Sequence, residues 1–282
     1  MIADYALDDV VDRALAEDIA AGDITTESVV DAEARAHARA RAKSRLVVCG
    51  GDVFARAFYR VDPGVRVERL VPDGAWAEPG TVLWEVEGAA RSVLTAERVA
   101  LNFAQRLSGI ATLTRRYVEA LPPASKTRIT DTRKTTPGLR TLERYAVRSG
   151  SGHNHRNDLA SGVLIKNNHI AAGRGISAAI ERARRIAPHT SRIEVEVGSI
   201  AELEQALDAG ADIVMLDNFA IAEIETALGR ARGRAVIEVS GGVTLEAVPA
   251  LGALGADVIS VGALTHSAPA ADIALELERL AP

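Results

Sequence analysis

In the second half of the sequence, charged and small polar residues recur where short apolar runs end. Asp131, Arg133 and Lys134 follow residues 128–130, Lys166 follows 163–165, and Glu196 lies near the end of 193–197. Asp217 follows 213–216, Ser240, Gly241 and Gly242 follow 235–239, and Gly262 follows 258–261. One charged residue at a strand end is as often a solvated cap as a ligand; its return at every successive run is not explained that way. Arg133, Lys134, Arg156 and Lys166 suit a ligand carrying several negative charges, carboxylate or phosphate, because charged donors make the stronger hydrogen bonds to such oxygens. Glu196 and Asp217 suit sugar hydroxyls, or a magnesium ion accompanying a polyphosphate. SGGV (240–243) and VGAL (261–264) offer backbone N–H groups that a phosphate can approach closely, since glycine has no side chain in the way.

Other chemistries lack their residues. His153 and His155 flank Asn154, but no third ligand stands at the short spacing of zinc sites, and no histidine-bound metal is expected. His37 and His189 carry no further signal, whereas His169 and His266 follow loaded strands and are the better candidates for proximity to a site. There is no G-x-S-x-G elbow and no Walker loop. The single Cys49 cannot form an intrachain disulfide. A net charge of −5 argues against a nucleic-acid partner. The N-terminus is an acidic amphipathic pattern rather than a secretory signal, and no apolar run reaches membrane-spanning length. A reducing cytoplasm is the expected setting.

These residues need a scaffold that brings strand ends together. Leu7, Val10, Val11, Ala14 and Leu15 predict an opening helix over 5–17. Short β-prone runs at 45–48, 65–70 and 82–86, broken by Gly and Pro turns, predict a small sheet domain. Residues 94–121 read as one long helix closed by Pro122–Pro123. From there strands alternate with Ala/Leu/Glu-rich helices at about the length of one βα unit. Ser199 and Glu202 make a capping box, and Gly210 stands at a C-cap position. An α/β barrel, whose strand C-termini converge on one face, is the preferred architecture. An open doubly wound sheet is the alternative, but its Gly-rich dinucleotide fingerprint is absent.

The motifs EDIAAGDITT (17–26), LTAERVALNFAQRLSGIATLT (94–114), DTRKTTPGLRTLERYAV (131–147), NHR (154–156), LIKNNHI (164–170), EVEV (194–197), LDN (216–218), EVSGGV (238–243) and VGALTHS (261–267) lie in collinear order over nearly the whole chain. Together they resemble the quinolinate phosphoribosyltransferases, also called nicotinate-nucleotide pyrophosphorylases (carboxylating). The resemblance implies an N-terminal α/β sandwich-like domain (1–115) followed by an incomplete, seven-stranded α/β barrel (116–282). It also implies a homodimer, or an oligomer of dimers, that converts quinolinate and phosphoribosyl pyrophosphate to nicotinate mononucleotide, pyrophosphate and carbon dioxide.

By the resemblance, Arg98 reaches the partner subunit's site, where with Arg133, Lys134, His155 and Arg156 it holds the quinolinate carboxylates, and Thr132 is a further substrate-binding residue. Lys166 lies between the substrates. Glu196 and Asp217 serve the ribose hydroxyls, with magnesium held through substrate and water nearby. Ser240, Gly241, Gly242 and Gly262 cradle the 5-phosphate, and Lys134, Lys166, Glu196 and Asp217 form the catalytic set. Asn167 replaces the Asp usual after this lysine, and RNDLASG (156–162) differs from the commoner glycine- and leucine-containing version. The related molybdenum-transport paralogue, and a non-catalytic anion-binding barrel, are the competing readings.

Overall fold

The computed structural model describes residues 4–279. Its elements in chain order begin α1 (Asp4–Ile19), α2 (Ile24–Val29), β1 (Arg35–Ala42), β2 (Leu46–Val47) and α3 (Gly51–Val61). They continue with β3 (Arg66–Arg69), β4 (Trp76–Ala77), β5 (Val82–Ala89) and α4 (Ala90–Glu119). Next come β6 (Arg128–Thr130), α5 (Arg140–Ser149), β7 (Val163–Ile165), α6 (Asn167–Ala172), α7 (Ile176–Ile186), β8 (Ile193–Val197) and α8 (Ile200–Asp208). The chain ends with β9 (Ile213–Asp217), α9 (Ile221–Ala231), β10 (Val236–Ser240), α10 (Val248–Leu254), β11 (Val258–Ser260), α11 (Ala263–His266) and β12 (Ile273–Arg279). Two compact units result. Among the described residues, the first takes 4–115 together with 135–151 and 264–279; the second takes 116–134 and 152–263. The sequence reading assigns 116–282 to one barrel domain, whereas α5 and β12 lie in the first unit.

The first unit is built on an antiparallel sheet in the order β12-β1-β5-β3. In β1, RAHARARA alternates with the period of a strand: Ala36, Ala38, Ala40 and Ala42 are buried. Arg39 on the other face pairs with Glu85 of β5 at 2.8 Å and also with Glu278 of β12. The amphipathic α3 places Val53, Phe54, Ala57 and Phe58 inward. Phe54 stacks on Trp84 of β5 with ring centroids 4.5 Å apart. Burying an aromatic side chain of this size contributes about 1.5–3 kcal/mol, which makes this cluster a main anchor of the unit. Helix α4 presents Ser108, whose Oγ accepts from the Cys49 N–H at 3.0 Å and donates to its carbonyl at 3.1 Å.

The second unit is a parallel sheet in the order β6-β11-β10-β9-β8-β7. The seven strands implied by the resemblance are six here: the seventh segment is reduced to a single parallel bridge between Thr130 and His153. Side chains alternate across each strand. Ile193, Val195 and Val197 of β8 occupy one face, and Glu194 and Glu196 the other. Ser199 caps α8 as expected, its Oγ accepting from the Glu202 N–H at 3.3 Å, but the Glu202 carboxylate accepts from the Gly198 N–H at 2.7 Å rather than from Ser199, so only half of the expected capping box forms. Gly210 follows the helix at φ 76°, in the left-handed conformation that glycine adopts without strain.

Candidate active site

The second unit contains every expected site residue except Arg98, which stands exposed on α4 in the first. After β6 the chain turns through Asp131, whose buried carboxylate accepts from Asn154 Nδ2 at 2.6 Å and from the His155 N–H at 2.7 Å. Asp131 therefore ties the NHR segment to the end of β6. His155 Nδ1 accepts the N–H of Arg156 at 2.7 Å. On its other side, Nε2 lies 3.2 Å from Glu194 and 3.5 Å from Glu238. Both ring nitrogens thus face groups of the protein itself.

Arg156 donates from Nη1 to the Gly162 carbonyl at 3.0 Å, closing the segment between them. Within that segment Asp158 accepts from the Ala160 N–H at 2.9 Å and from Ser161 Oγ at 2.7 Å. Hydrogen bonds from Ser161, Asn157 and Ala160 hold the Asp158 carboxyl down at about 2. The unusual RNDLASG sequence therefore folds as a self-bonded turn. Burial, and then repulsion from Arg133, lower the Arg156 guanidinium below its ordinary value. The Arg133 Nε is buried without a hydrogen-bond partner. A repelling pair of half-buried arginines is a strong receptor for a dianion, which relieves the repulsion and supplies the missing acceptor.

Lys166, at the end of β7, pairs its Nζ with Glu196 of β8. Asp217 ends β9 opposite Ser240 of β10 in parallel register. Next in the chain, Gly241 (φ 93°) and Gly242 (φ 56°) take successive left-handed conformations. A Cβ on Gly241 would also overlap the Asn218 side chain, so this turn requires glycine twice over. Lys134 and Gly262 lie where the sequence placed them, just past β6 and β11.

Of the two better-placed histidines, His169 stands beside a site residue, its Nδ1 accepting the Lys166 N–H at 2.9 Å, while His266 contacts Ser267 Oγ at 2.6 Å and lies in the first unit. The sequence reading missed Glu194 and Glu238 as members of the site. Their signal was the alternation in EVEV and IEVS, which puts a carboxylate where a strand's inner face is normally apolar. Among the described residues no helix is long and apolar enough to cross a membrane.

Residues 23–108 match the N-terminal domain of quinolinate phosphoribosyl transferase, and residues 110–276 match its C-terminal domain. The chain belongs to the quinolinate phosphoribosyl transferase family. It is, by that membership, a phosphoribosyltransferase of NAD biosynthesis. It is 41% identical over 287 residues to the nicotinate-nucleotide pyrophosphorylase (carboxylating) of Mycobacterium leprae, covering 98% of this chain and 100% of that one. The NadC structure from Streptococcus pyogenes superposes with a TM-score of 0.95 at 41% identity, covering 100% of this chain and 99% of the other. The nicotinate-nucleotide pyrophosphorylase structure from Francisella tularensis gives a TM-score of 0.94 at 39% identity over 99% and 98% of the chains. A quinolinate phosphoribosyltransferase site must accept a dicarboxylate and a phosphorylated sugar, and the polar strand ends of the second unit offer residues of both kinds.

Proposed function

We propose that the strand ends of the second unit bind quinolinate and phosphoribosyl pyrophosphate together and join them. In this reading Thr132, Arg133, Lys134 and Arg156 form the carboxylate end, and His155, whose ring nitrogens both face groups of the protein, positions Arg156 there. Ser240, Gly241, Gly242 and Gly262 take the 5-phosphate, and Glu196 and Asp217 take the ribose hydroxyls. The observation that carries the reading is the Arg133–Arg156 pair, a partly buried concentration of positive charge with an unpartnered Nε in a chain of net charge −5.

The reaction follows from what these groups can stabilise. The pyridine nitrogen attacks ribose C1 as the bond from C1 to pyrophosphate breaks, through a sugar with oxocarbenium character and a highly charged leaving group. Lys166 neutralises developing charge between the substrates, and its tie to Glu196 fixes where its ammonium stands. Lys134 supports charge from the β6 side. The new pyridinium draws electrons from the adjacent carboxylate. Carbon dioxide departs, the electron pair stays on the ring carbon, and that carbon takes a proton from water. No protein nucleophile is required.

Glu196 and Asp217 fit magnesium held through substrate and water, because they offer hard carboxylate oxygens on the neighbouring strands β8 and β9. When bound, the ion would offset the charge of pyrophosphate. By the family resemblance Arg98 completes the partner subunit's site in a homodimer, and the setting is cytoplasmic. The test is an assay with quinolinate, phosphoribosyl pyrophosphate and magnesium. Nicotinate mononucleotide and carbon dioxide in equal amounts are expected; specific binding of both substrates without turnover would overturn the catalytic assignment.

A further inference from the structure

Below the strand ends, the inner face of the sheet is polar in a way that the reaction above does not use. Glu194 of β8 and Glu238 of β10 retain 5% and 3% of their surface, and both approach the same ring nitrogen of His155. Of the buried side-chain polar atoms without a hydrogen-bond partner, several fall here: Glu194 Oε1, Glu238 Oε1, Thr130 Oγ1 and Ser260 Oγ. Two carboxylates this deep cannot both be ionised next to a neutral imidazole without a large desolvation cost.

The hydrogen bond on the far side of the ring decides where the proton sits. Because the Arg156 N–H donates to Nδ1, that nitrogen presents its lone pair, and the ring's own proton belongs on Nε2, facing the carboxylates. One ionised carboxylate is then matched, and the other must carry a proton. We propose that Glu238 is the protonated member of a buried Glu194–His155–Glu238 triad. This triad keeps His155 neutral as a positioning residue for Arg156 and leaves only one negative charge beneath the bound dicarboxylate. The proposal deepens the reading given above and rests on it.

The surroundings agree. Burial, and then the charge of Glu194, push the Glu238 carboxyl up to about 7, against the opposing pull of His155 and Lys166. Burial works against a charged His155, but the Glu194 hydrogen bond and the two carboxylate charges together raise it. His155 and Glu238 thus compete for one proton, and the Arg156 N–H on Nδ1, which an imidazolium has no lone pair to accept, favours its placement on Glu238. The other charged groups acting on the triad are Asp131, which accepts the His155 N–H, together with Arg156 and Lys166.

As pH rises through about 7 Glu238 ionises, and a second buried negative charge repels the dicarboxylate. The quinolinate KM of the native enzyme should therefore rise about tenfold between roughly pH 6 and pH 8.5, with kcat and the KM for phosphoribosyl pyrophosphate changing far less. Glu238→Gln, which cannot ionise, should flatten that rise. Glu194→Gln removes the neighbouring charge and should move the rise to lower pH. Should Glu238→Gln fail to fold, infrared spectroscopy of the native enzyme is expected to reveal a protonated-carboxyl band that titrates near neutrality and is lost on deprotonation. An unchanged pH profile in folded Glu238→Gln, or the absence of that band, overturns the proposal. Stoichiometric binding of magnesium or zinc to the substrate-free enzyme, measured by calorimetry and lost in Glu238→Gln, would assign the triad to a cation instead, and also overturns it. Absence of quinolinate binding at any pH would sink the functional reading itself, a result separable from these.

Discussion

Glu143, with none of its surface exposed, accepts from the Arg106 guanidinium at 2.7 Å. It also accepts from the N–H and the hydroxyl of Thr136, at 3.0 and 2.7 Å. Arg106 extends the network by donating to the carbonyls of Thr265 and Ala268. One ion pair, buried at its glutamate end, therefore fixes α4, the segment just after Lys134, and the end of α11 at once. Removing Glu143 leaves Arg106 part-exposed and still donating to two carbonyls, so the cost lies at the low end of the range for a buried pair, about 3 kcal/mol. Glu143→Ala should lose stability of that order in urea unfolding; a loss under about 1 kcal/mol would mean that the pair is dispensable.

Arg133→Ala and Arg156→Ala should each weaken quinolinate binding by about 1.5–3 kcal/mol, the contribution of a charge-assisted hydrogen bond, with the fold retained. Nicotinic acid, lacking the second carboxylate, should be turned over poorly. Near-native quinolinate affinity in a folded double variant, measured by calorimetry, would remove the carboxylate clamp from the site.

Lys166→Ala should lower kcat by about a hundredfold to a thousandfold, the range for losing one preorganised electrostatic group, while quinolinate and phosphoribosyl pyrophosphate still bind. Single-turnover measurements separate the two effects. Equal losses in binding and in rate would make Lys166 a ligand rather than a stabiliser of developing charge.

How far the sequence announced all this differs from element to element. Strands β6, β7 and β8 fall on the residues expected, because short β-branched runs between polar breaks fit buried parallel strands and little else. Strand β1 was not anticipated, because RAHARARA is built from alanine and arginine, good helix formers, and becomes a strand only through its pairing with β5 and β12. IALELER of β12 has the composition of a helix for the same reason. Helix α3 was hidden within a stretch read as sheet. The strand-end residues were legible from their spacing. Glu194 and Glu238 were not, since they lie further back along their strands and their significance depends on His155 arriving from a distant loop.

Arg98 lies at an exposed position on α4, beside Glu97, whose carboxyl burial pushes up while the Arg98 charge draws it down. If Arg98 serves the partner's site, Arg98→Ala and Lys166→Ala chains should each be nearly inactive alone. Mixed with subunit exchange, they should regain about a quarter of native activity, because about half the dimers are mixed and each of those has one intact site. Verified exchange without regain would confine Arg98 to a surface role of little energetic weight.

The pairing of β12 with β1 sets an order of events during synthesis. His37 stands opposite Glu278, so the whole parallel sheet is translated between the two strands of that ladder. At roughly 5–20 residues per second the ribosome leaves one edge of β1 uncovered for many seconds after α3 and β5 are made. An uncovered strand edge is a template for pairing with other chains. The nascent protein is thus most prone to aggregate late in translation, and its first unit is completed last.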